Sequence, residues 1–365
     1  MRRTRRATLA ALGALSAGCL GAVDGGSTPA CPADVAEDTA ARIGFVGDVM
    51  FGRNVDDRWD DRPPEGVWGD TLDRLDALDG LVLNLECCLS DRGRRRPNRT
   101  YYFRADPDWA VPALERAGAG AVALANNHML DYGPVALRDT VDHLSDAGIA
   151  NAGAGPDYDT AAAPTTAEFG DLTVCLLSLT DQSSSYAAGS DSPGTAYTPL
   201  TSEVTKELLE GPLRRAHETD HDLLVASLHW GPNWEVEPSD GQRAMARWLI
   251  DQGVDVVHGH SAHVIQGVEV YRGRPIVYDA GDFVDDYVIK SDLHNDRTFL
   301  FELVVDDGRL DRLRLVPAEI VDERVTRADP GAAAWLRDRM RTLSDPFGTT
   351  LERAGDGLAI PLSCE

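Results

Sequence analysis

Lysine is almost missing from this 365-residue chain, which contains only Lys206 and Lys290. Positive charge is scarce in general, because 60 acidic residues outnumber 35 basic ones and give a formal net charge of −25. A surface of this sign repels nucleic acids and anionic lipid headgroups, so neither is an expected partner. We interpret the excess of carboxylates as a halophilic surface, which stays hydrated at high salt.

Cysteine is also scarce, and its spacing is irregular. The six cysteines are Cys19, Cys31, Cys87, Cys88, Cys175 and Cys364. Such a set does not demand a disulfide framework, although export would permit disulfides. Few of the cysteines lie near the polar motifs described below, which argues against a metal site built from thiolates.

The N-terminal apolar stretch, residues 7–18, is too short to span a bilayer as a stable anchor. It follows paired arginines in "MRRTRRATLAALGALSAGC", which resembles a twin-arginine export signal. The segment "LSAGC" resembles a lipobox, so residues 1–19 predict an exported protein lipidated at Cys19 and held at the outer face of the cytoplasmic membrane. Alternatively, Cys19 is only the last residue of an ordinary cleaved signal. Residues 20–40 are small, polar and acidic, as in a flexible tether.

From residue 41 onward, short β-branched runs alternate with amphipathic helical stretches. This alternation predicts an α/β fold with largely parallel central strands. A hairpin is expected around Asp306-Asp307-Gly308, so the sheets should be mixed. Without an internal repeat or a clear break, we expect one domain over residues 41–325, followed by a C-terminal helical extension over residues 326–365.

Polar residues follow one apolar run after another. They are Asp48, Asn84, Glu86, Asn126, Asn127, His128, His229, His258, His260, His263 and Asp282. Any one of them alone has a structural explanation, such as a cap or a turn. Because the carboxyl ends of strands in an open α/β sheet converge on one crevice, we expect these side chains to share a site.

The residue types suit a metal centre of mixed oxygen and nitrogen ligands. Carboxylate, asparagine oxygen and neutral imidazole favour one or two divalent ions of Mn, Fe or Zn. Two adjacent metals would bind a water as hydroxide and polarise a substrate oxygen.

The motifs resemble a known family over about residues 42–290. They are "GDVMFGR" (47–53), "LVLNLE" (81–86), "ANNHMLDYG" (125–133), "LHWG" (228–231) and the segment beginning "GHSAH" (259–283). Together they resemble the bacterial capsule-synthesis family named for the poly-γ-glutamate capsule protein CapA, which is related to the calcineurin-like metallophosphoesterases. The resemblance implies a metallophosphoesterase-like layered sandwich with mixed central β-sheets flanked by helices.

The resemblance also implies roles for individual residues. Asp48 and His263 would bind a first metal, Asn127, His229 and His260 a second, and Glu86 would take the bridging position. His128 would protonate a leaving group or stabilise charge, and Asp131, three residues later on the same helical face, would orient its imidazole. The expected substrate contacts are Arg53, Asn84 and Glu235, with Glu237 as an alternative to Glu235.

The chain departs from the family patterns at several positions. Met50 stands where phosphoesterases have a histidine, and His260 and His263 are separated by two residues instead of one. Asp282 replaces the usual asparagine of Gly-Asn-Phe, and we expect it to cap a turn instead of adding charge to the site. His258 is expected to be structural.

Three functions are compatible with these motifs. The first is an envelope-anchored, metal-dependent hydrolase or transferase in the synthesis, release or attachment of a surface polymer such as poly-γ-glutamate. Its partners would be that anionic polymer and subunits of capsule synthesis or export. The arginine-rich run 91–104 would be either a further polymer contact or a solvated loop. The second is a phosphomonoesterase or phosphodiesterase, and the third is a non-catalytic subunit of a capsule export complex.

Overall fold

Two β-sheets lie at the centre of the structure, which is a computed structural model describing residues 40–200 and 203–362. The expected export signal, Cys19 and the tether up to residue 39 lie outside the described residues. The strands are β1 Ala41–Val49, β2 Gly80–Leu85, β3 Cys88–Leu89, β4 Arg104–Ala105, β5 Ala119–Ala123, β6 Ala150–Ala152, β7 Ala154–Gly155, β8 Thr165–Phe169, β9 Leu172–Thr180, β10 Gly194–Thr195, β11 Leu223–His229, β12 Val256–His260, β13 Val268–Tyr271, β14 Arg274–Val277, β15 Asp282–Val284, β16 Arg297–Asp306, β17 Arg309–Ile320, β18 Val325–Arg327, β19 Glu352–Ala354 and β20 Gly357–Pro361.

The helices lie mostly between strands, as the alternation of sequence patterns predicts. They are α1 Asn54–Trp59, α2 Leu72–Leu75, α3 Pro107–Arg116, α4 Pro134–Asp146, α5 Tyr158–Ala161, α6 Glu203–Glu218, α7 Asp240–Asp251 and α8 Pro330–Ser344, with 3₁₀ turns at Pro64–Thr71, Ser184–Tyr186 and Asp345–Phe347. No helix in the described ranges is both long enough and apolar enough to cross a bilayer.

Both sheets are mixed, which confirms the expected fold class. The larger sheet has the order β19-β20-β17-β16-β1-β2-β5-β6, with β15 beside β1 and β18 beside β17. Its strands β1, β2, β5 and β6 are parallel, and β16 and β17 form the predicted antiparallel hairpin. The smaller sheet has the order β13-β14-β12-β11-β9-β8, with four parallel strands at its centre.

The two sheets pack face to face, and helices cover their outer faces. Phe45 and Val82 of the larger sheet share one buried cluster with Val225 of the smaller sheet. Helices α3 and α4 pack on the outer face of the larger sheet. Helices α6 and α7 pack on that of the smaller sheet. This order of layers follows from the alternation of side chains along each strand, since successive residues point to opposite faces.

Helix boundaries follow local capping chemistry. Asp106 precedes α3, and its side chain accepts a hydrogen bond from the backbone N–H of Asp108. Ser239 and Gln242 form a reciprocal capping box at the start of α7. After α4, Gly148 has a left-handed φ of 72°, which favours glycine at the end of a helix.

The C-terminal segment is only partly helical, which corrects the expected helical extension over residues 326–365. Helix α8 packs against the interior through Leu336 and Met340. Beyond it, β19 and β20 form a hairpin, and β20 pairs with β17 in the larger sheet. The strand pattern was missed because β20 is a short apolar run, "GLAIP", that alternation cannot distinguish from a helix end.

One packing contact between the sheets is tight enough to test. The ring of Phe169 is buried, and a Cβ atom added at Gly80 or Gly120 would lie 2.3 or 2.0 Å from it. We expect Phe169→Ala to lower the free energy of unfolding by about 3–5 kcal/mol, because the cavity cannot be filled. Denaturant unfolding at fixed salt measures the loss, with Phe169→Leu as the milder control. A change below about 1 kcal/mol in Phe169→Ala would contradict this packing.

Candidate metal centre

The carboxyl ends of parallel strands bring polar side chains to one edge of the molecule. Asp48 on β1 is in register with Asn84 on β2 and with Asp282 on β15. His229, at the end of β11, lies directly opposite His260, at the end of β12. Because the two sheets pack face to face, residues from both contribute to a single site. The structure therefore brings together the strand-end residues that the sequence singled out.

One group of possible ligands consists of Asp48, His229 and His260, all of them buried. Their ligand atoms lie within 4.8 Å of one another. Asp48 Oδ1 is 3.7 Å from His229 Nδ1 and 3.5 Å from His260 Nδ1. The two Nδ1 atoms are 2.9 Å apart. A divalent cation could therefore be held here by one oxygen and two nitrogens.

A second group of possible ligands consists of Asp48, Glu86 and His263, and its ligand atoms also lie within 4.8 Å of one another. Asp48 Oδ2 is 3.4 Å from His263 Nδ1, so the two oxygens of Asp48 face different groups. The resemblance gives the bridging position to Glu86, whereas here Asp48 is the carboxylate common to both groups. Ser261 and His263 have positive φ angles of 110° and 58°, a strained backbone of the kind that concentrates at functional sites.

Glu86 provides the test of whether the site suits a metal. Its side chain is fully buried, and neither carboxylate oxygen has a hydrogen-bond partner among the described residues. Burial raises the pKa of Glu86 well above its ordinary value, and the negative charge of Asp48 raises it further. A buried carboxylate without partners is costly, and a divalent cation offsets that cost. The donor set therefore fits a divalent metal ion.

The neighbouring groups differ in their protonation. Burial lowers the pKa of His260 well below its usual value, which favours the neutral imidazole that binds metals. Burial also disfavours a charged His263, but Asp282 and Glu86 outweigh it and raise the pKa of His263. Burial opposes ionisation of Asp48, yet hydrogen bonds from His229 and His263 lower its pKa well below the usual value. Burial therefore keeps the imidazole of His260 neutral, whereas the carboxylates beside His263 stabilise its charged form.

Two asparagines extend the cluster. Asn127 Oδ1 is 2.8 Å from His229 Nε2, so the predicted ligand Asn127 lies beside the first group. Asn84, which was expected to bind substrate, is fully buried. Its amide donates to Asp48 Oδ1 at 2.7 Å and accepts from the amide of Asn126 at 3.2 Å. Both ends of the Asn84 amide are therefore engaged inside the protein, where Asn84 orients Asp48, and its expected contact with substrate stays a prediction.

His128 and Asp131 form the expected pair, but in a turn instead of on a helix. His128 Nδ1 lies 2.6 Å from Asp131 Oδ2, and α4 begins only at Pro134. The Asp131 backbone N–H donates to the His128 carbonyl, which closes the turn and brings residues three apart together. Asp131 also accepts a hydrogen bond from the Tyr186 hydroxyl at 2.8 Å. The Nε2 atom of His128 lies 3.6 Å from Glu86 Oε1, at the second group.

Part of the arginine-rich run 91–104 turns inward instead of being a freely solvated loop. Arg99 Nε forms an ion pair with Asp131 at 3.2 Å, and the Arg99 guanidinium donates to the carbonyl of Asn127 at 2.8 Å. Arg92 pairs with Asp139 on α4. Arg99 therefore connects the run to the turn that carries His128.

The other two expected substrate contacts, Arg53 and Glu235, are not members of the two ligand groups. Arg53 Nε pairs with Asp286 at 3.1 Å, and its guanidinium lies 5.2 Å from the ring centres of Tyr101 and Phe103. Glu235 is exposed, and its described contact is through its main-chain oxygen, which accepts from Gln266. Glu237, the alternative to Glu235, is also exposed.

Comparison with known proteins identifies the family of this chain. Residues 42–287 match the family described as "Bacterial capsule synthesis protein PGA_cap". A probable polyglutamine synthesis accessory protein of Mycobacterium tuberculosis (strain H37Rv) is 35% identical over 318 residues, which cover 83% of this chain and 81% of the relative.

The chain belongs to the bacterial capsule synthesis family. The PGA biosynthesis protein CapA of Bacillus subtilis is 27% identical over 252 residues, covering 68% of this chain and 64% of the relative. The capsule biosynthesis protein CapA of Bacillus anthracis is 28% identical over 256 residues, which cover 68% of this chain and 61% of the relative.

In this capsule synthesis protein, the sequence patterns did not indicate Trp234, and they led to a wrong local role for Asp282. Asp282 lies in β15 and contacts His263 Nδ1 at 2.8 Å, so the expectation that it caps a turn was wrong. Trp234 packs on His263 at 5.5 Å between ring centres. The pairing of β15 with β1 brings Asp282 to the site, as its position after an apolar run had suggested. Met50 is buried in the core and adds no ligand. His258 contacts the Ser227 hydroxyl and the Val46 carbonyl, as expected of a structural residue.

Glu86→Gln tests the charge balance of this site. In metal-free protein we expect the variant to be about 1–2 kcal/mol more stable than wild type, because a neutral amide is cheaper to bury than an unpaired carboxylate. Added Mn²⁺ or Zn²⁺ should raise the thermal midpoint of wild type and raise that of the variant much less. Melting curves with chelator and with metal measure both effects, and Glu115→Gln, on the exposed side of α3, is the matched control. An equal response to metal in both proteins would contradict the assignment.

Proposed function

We propose that this protein is a metal-dependent hydrolase or transferase that acts on an anionic surface polymer such as poly-γ-glutamate during its synthesis, release or attachment. The observation that carries the proposal is the buried pair of ligand groups that share Asp48, the second of which contains the carboxylate of Glu86 without a hydrogen-bond partner among the described residues. Membership in the capsule synthesis family, and relatives named for polyglutamine and PGA biosynthesis, support the choice of polymer.

The residues that would hold one or two divalent ions come from both sheets. They are Asp48, Glu86, Asn127, His229, His260 and His263. A divalent metal at such a site supplies a nucleophilic hydroxide near neutral pH and polarises the substrate oxygen. Its identity among Mn, Fe and Zn is set by ligand type and availability.

His128 is suited to move a proton beside this centre. Asp131 holds the Nδ1 side of the ring at 2.6 Å, which leaves Nε2 facing the candidate ligands. Burial lowers the pKa of His128, so Nε2 is available as a base at neutral pH. In the proposed reaction, Nε2 would take a proton from the attacking water and pass it to the departing group of the polymer as the bond to that group breaks.

We propose that the protein is exported, lipidated at Cys19 and held at the membrane by that lipid. The supporting observations are the arginine pairs and the segment "LSAGC" of the sequence, which lie outside the described residues. At the cell surface the candidate centre would meet an anionic polymer together with subunits of capsule synthesis.

His260→Ala tests the metal centre. We expect wild type, purified without added metal, to contain near-stoichiometric Mn, Fe or Zn, and the variant to retain at least about tenfold less. Elemental analysis measures the metal, circular dichroism checks the fold, and His143→Ala on α4 is the control. Activity is then compared on poly-γ-glutamate and on phosphoesters. Cleavage of phosphoesters alone would favour a phosphoesterase, and a folded wild type that takes up no metal would favour a non-catalytic assembly subunit.

Cys19→Ser tests the anchor separately. Wild type expressed in a host with lipoprotein processing should partition into the membrane fraction, because an acylated N-terminus binds the bilayer. The variant should move to the soluble extracytoplasmic fraction, while Cys31→Ser should partition as wild type does. Immunoblots of the fractions measure the change. Equal partitioning of all three proteins would show that Cys19 carries no anchor.

A further inference from the structure

One of the two lysines of the chain lies beside the candidate metal centre. Lys290 follows β15 and is exposed, and its Nζ atom lies 4.6 Å from the centre of the Trp234 ring. The Trp234 ring in turn packs on His263 at 5.5 Å between ring centres. A single aromatic ring therefore separates the ammonium group of Lys290 from a residue of the second ligand group.

Trp234 is held in place by its backbone. Its φ of 71° lies in the left-handed region, which is unusual for a bulky side chain and costs free energy. Its N–H donates to the carbonyl of Ala262, between the two histidines of the "GHSAH" segment, at 2.8 Å. Tyr287 contacts both Trp234 and His263, at 5.7 and 5.0 Å between ring centres. His263 is only 2% exposed, because these two rings cover it.

Lys290 differs from the other cation near these rings. Arg53 lies 6.0 Å from the centre of Tyr287, but its charge is offset by Asp286. Within residues 40–200 and 203–362, no carboxylate forms an ion pair with the ammonium group of Lys290, whose backbone N–H is held by Asn295 at 2.7 Å. In a chain with a net charge of −25, an exposed and unpaired cation at this place is suited to an anionic ligand.

Apolar surface adjoins the cation. Val288 and Ile289 are 86% and 56% exposed, and Tyr101, which packs on Tyr287, is 50% exposed. A ligand that combines carboxylates with short methylene segments would match both features, because its charge would meet Lys290 while its carbons cover the apolar side chains.

We propose that Lys290, held over Trp234, binds a carboxylate of the polymer next to the unit at the candidate metal centre. This inference rests on the proposed function and adds a subsite that selects acidic polymers over neutral ones. Lysine is suited to this task because its compact ammonium group follows a flexible carboxylate as a point charge.

The test uses the full metal-loaded protein and two synthetic probes. One probe is a tetramer of γ-linked glutamate, and the other is the same tetramer with its free carboxylates converted to amides. Calorimetry at one fixed salt concentration should show about fivefold weaker binding of the acidic tetramer to Lys290→Gln, as expected for one partly exposed ion pair. Lys290→Arg should recover most of the affinity, and the amidated tetramer should bind the wild type and Lys290→Gln equally.

Lys206→Gln is the matched control, because it makes the same change of charge at the other lysine, on α6. We expect it to bind the acidic tetramer as wild type does, and all variants to keep their metal and their fold. Unchanged affinity in Lys290→Gln would overturn the subsite and leave the proposed function standing. A metal-loaded wild type that binds neither tetramer would overturn both the subsite and the choice of polymer. An equal loss in Lys206→Gln would show a general charge effect and would also overturn the subsite.

Discussion

Two buried carboxylates, Asp48 and Glu86, set the main constraint on this structure. Both are inaccessible to solvent; Asp48 lies on β1, and Glu86 directly follows the adjacent strand β2. Placing two like charges in a dry interior is unfavourable unless positive charge and hydrogen-bond donors surround them. The neighbouring strands, loops and histidines place hydrogen-bond donors and imidazoles around these two carboxylates.

The donors around Asp48 come from several parts of the chain. Its oxygens accept from the Asn84 amide at 2.7 Å and from the Ser261 backbone N–H at 3.1 Å. Asp279 fixes the same loop by accepting from the N–H groups of Ala262 and Gly281. Glu86, in contrast, accepts no hydrogen bond among the described residues. Its Oε1 atom lies 3.6 Å from His128 Nε2 and 3.7 Å from His229 Nε2. Asp48 thus accepts hydrogen bonds, whereas Glu86 accepts none among the described residues. This difference favours a cation site over a purely structural network.

Around the buried centre, scarce positive charge is used in distinct ways. Arg99 joins the arginine-rich run to the turn of His128 through Asp131 and Asn127. Arg53 is held by Asp286 between aromatic rings. On a surface dominated by carboxylates, cations committed to internal partners stabilise loops near the centre, whereas Lys290 remains exposed.

The sequence by itself determined the strand-helix alternation, the hairpin of β16 and β17, and the strand-end positions of Asp48, Glu86, Asn127, His229, His260 and His263. These features follow from periodicity and capping, which act over a few residues. Only the tertiary structure decided that Asp48 is common to both ligand groups, that Asn84 faces inward, that Asp282 reaches His263 and that β19 and β20 complete the larger sheet. Those outcomes depend on strand register and on the packing of two sheets, which join residues far apart in the chain and leave no local pattern in the sequence.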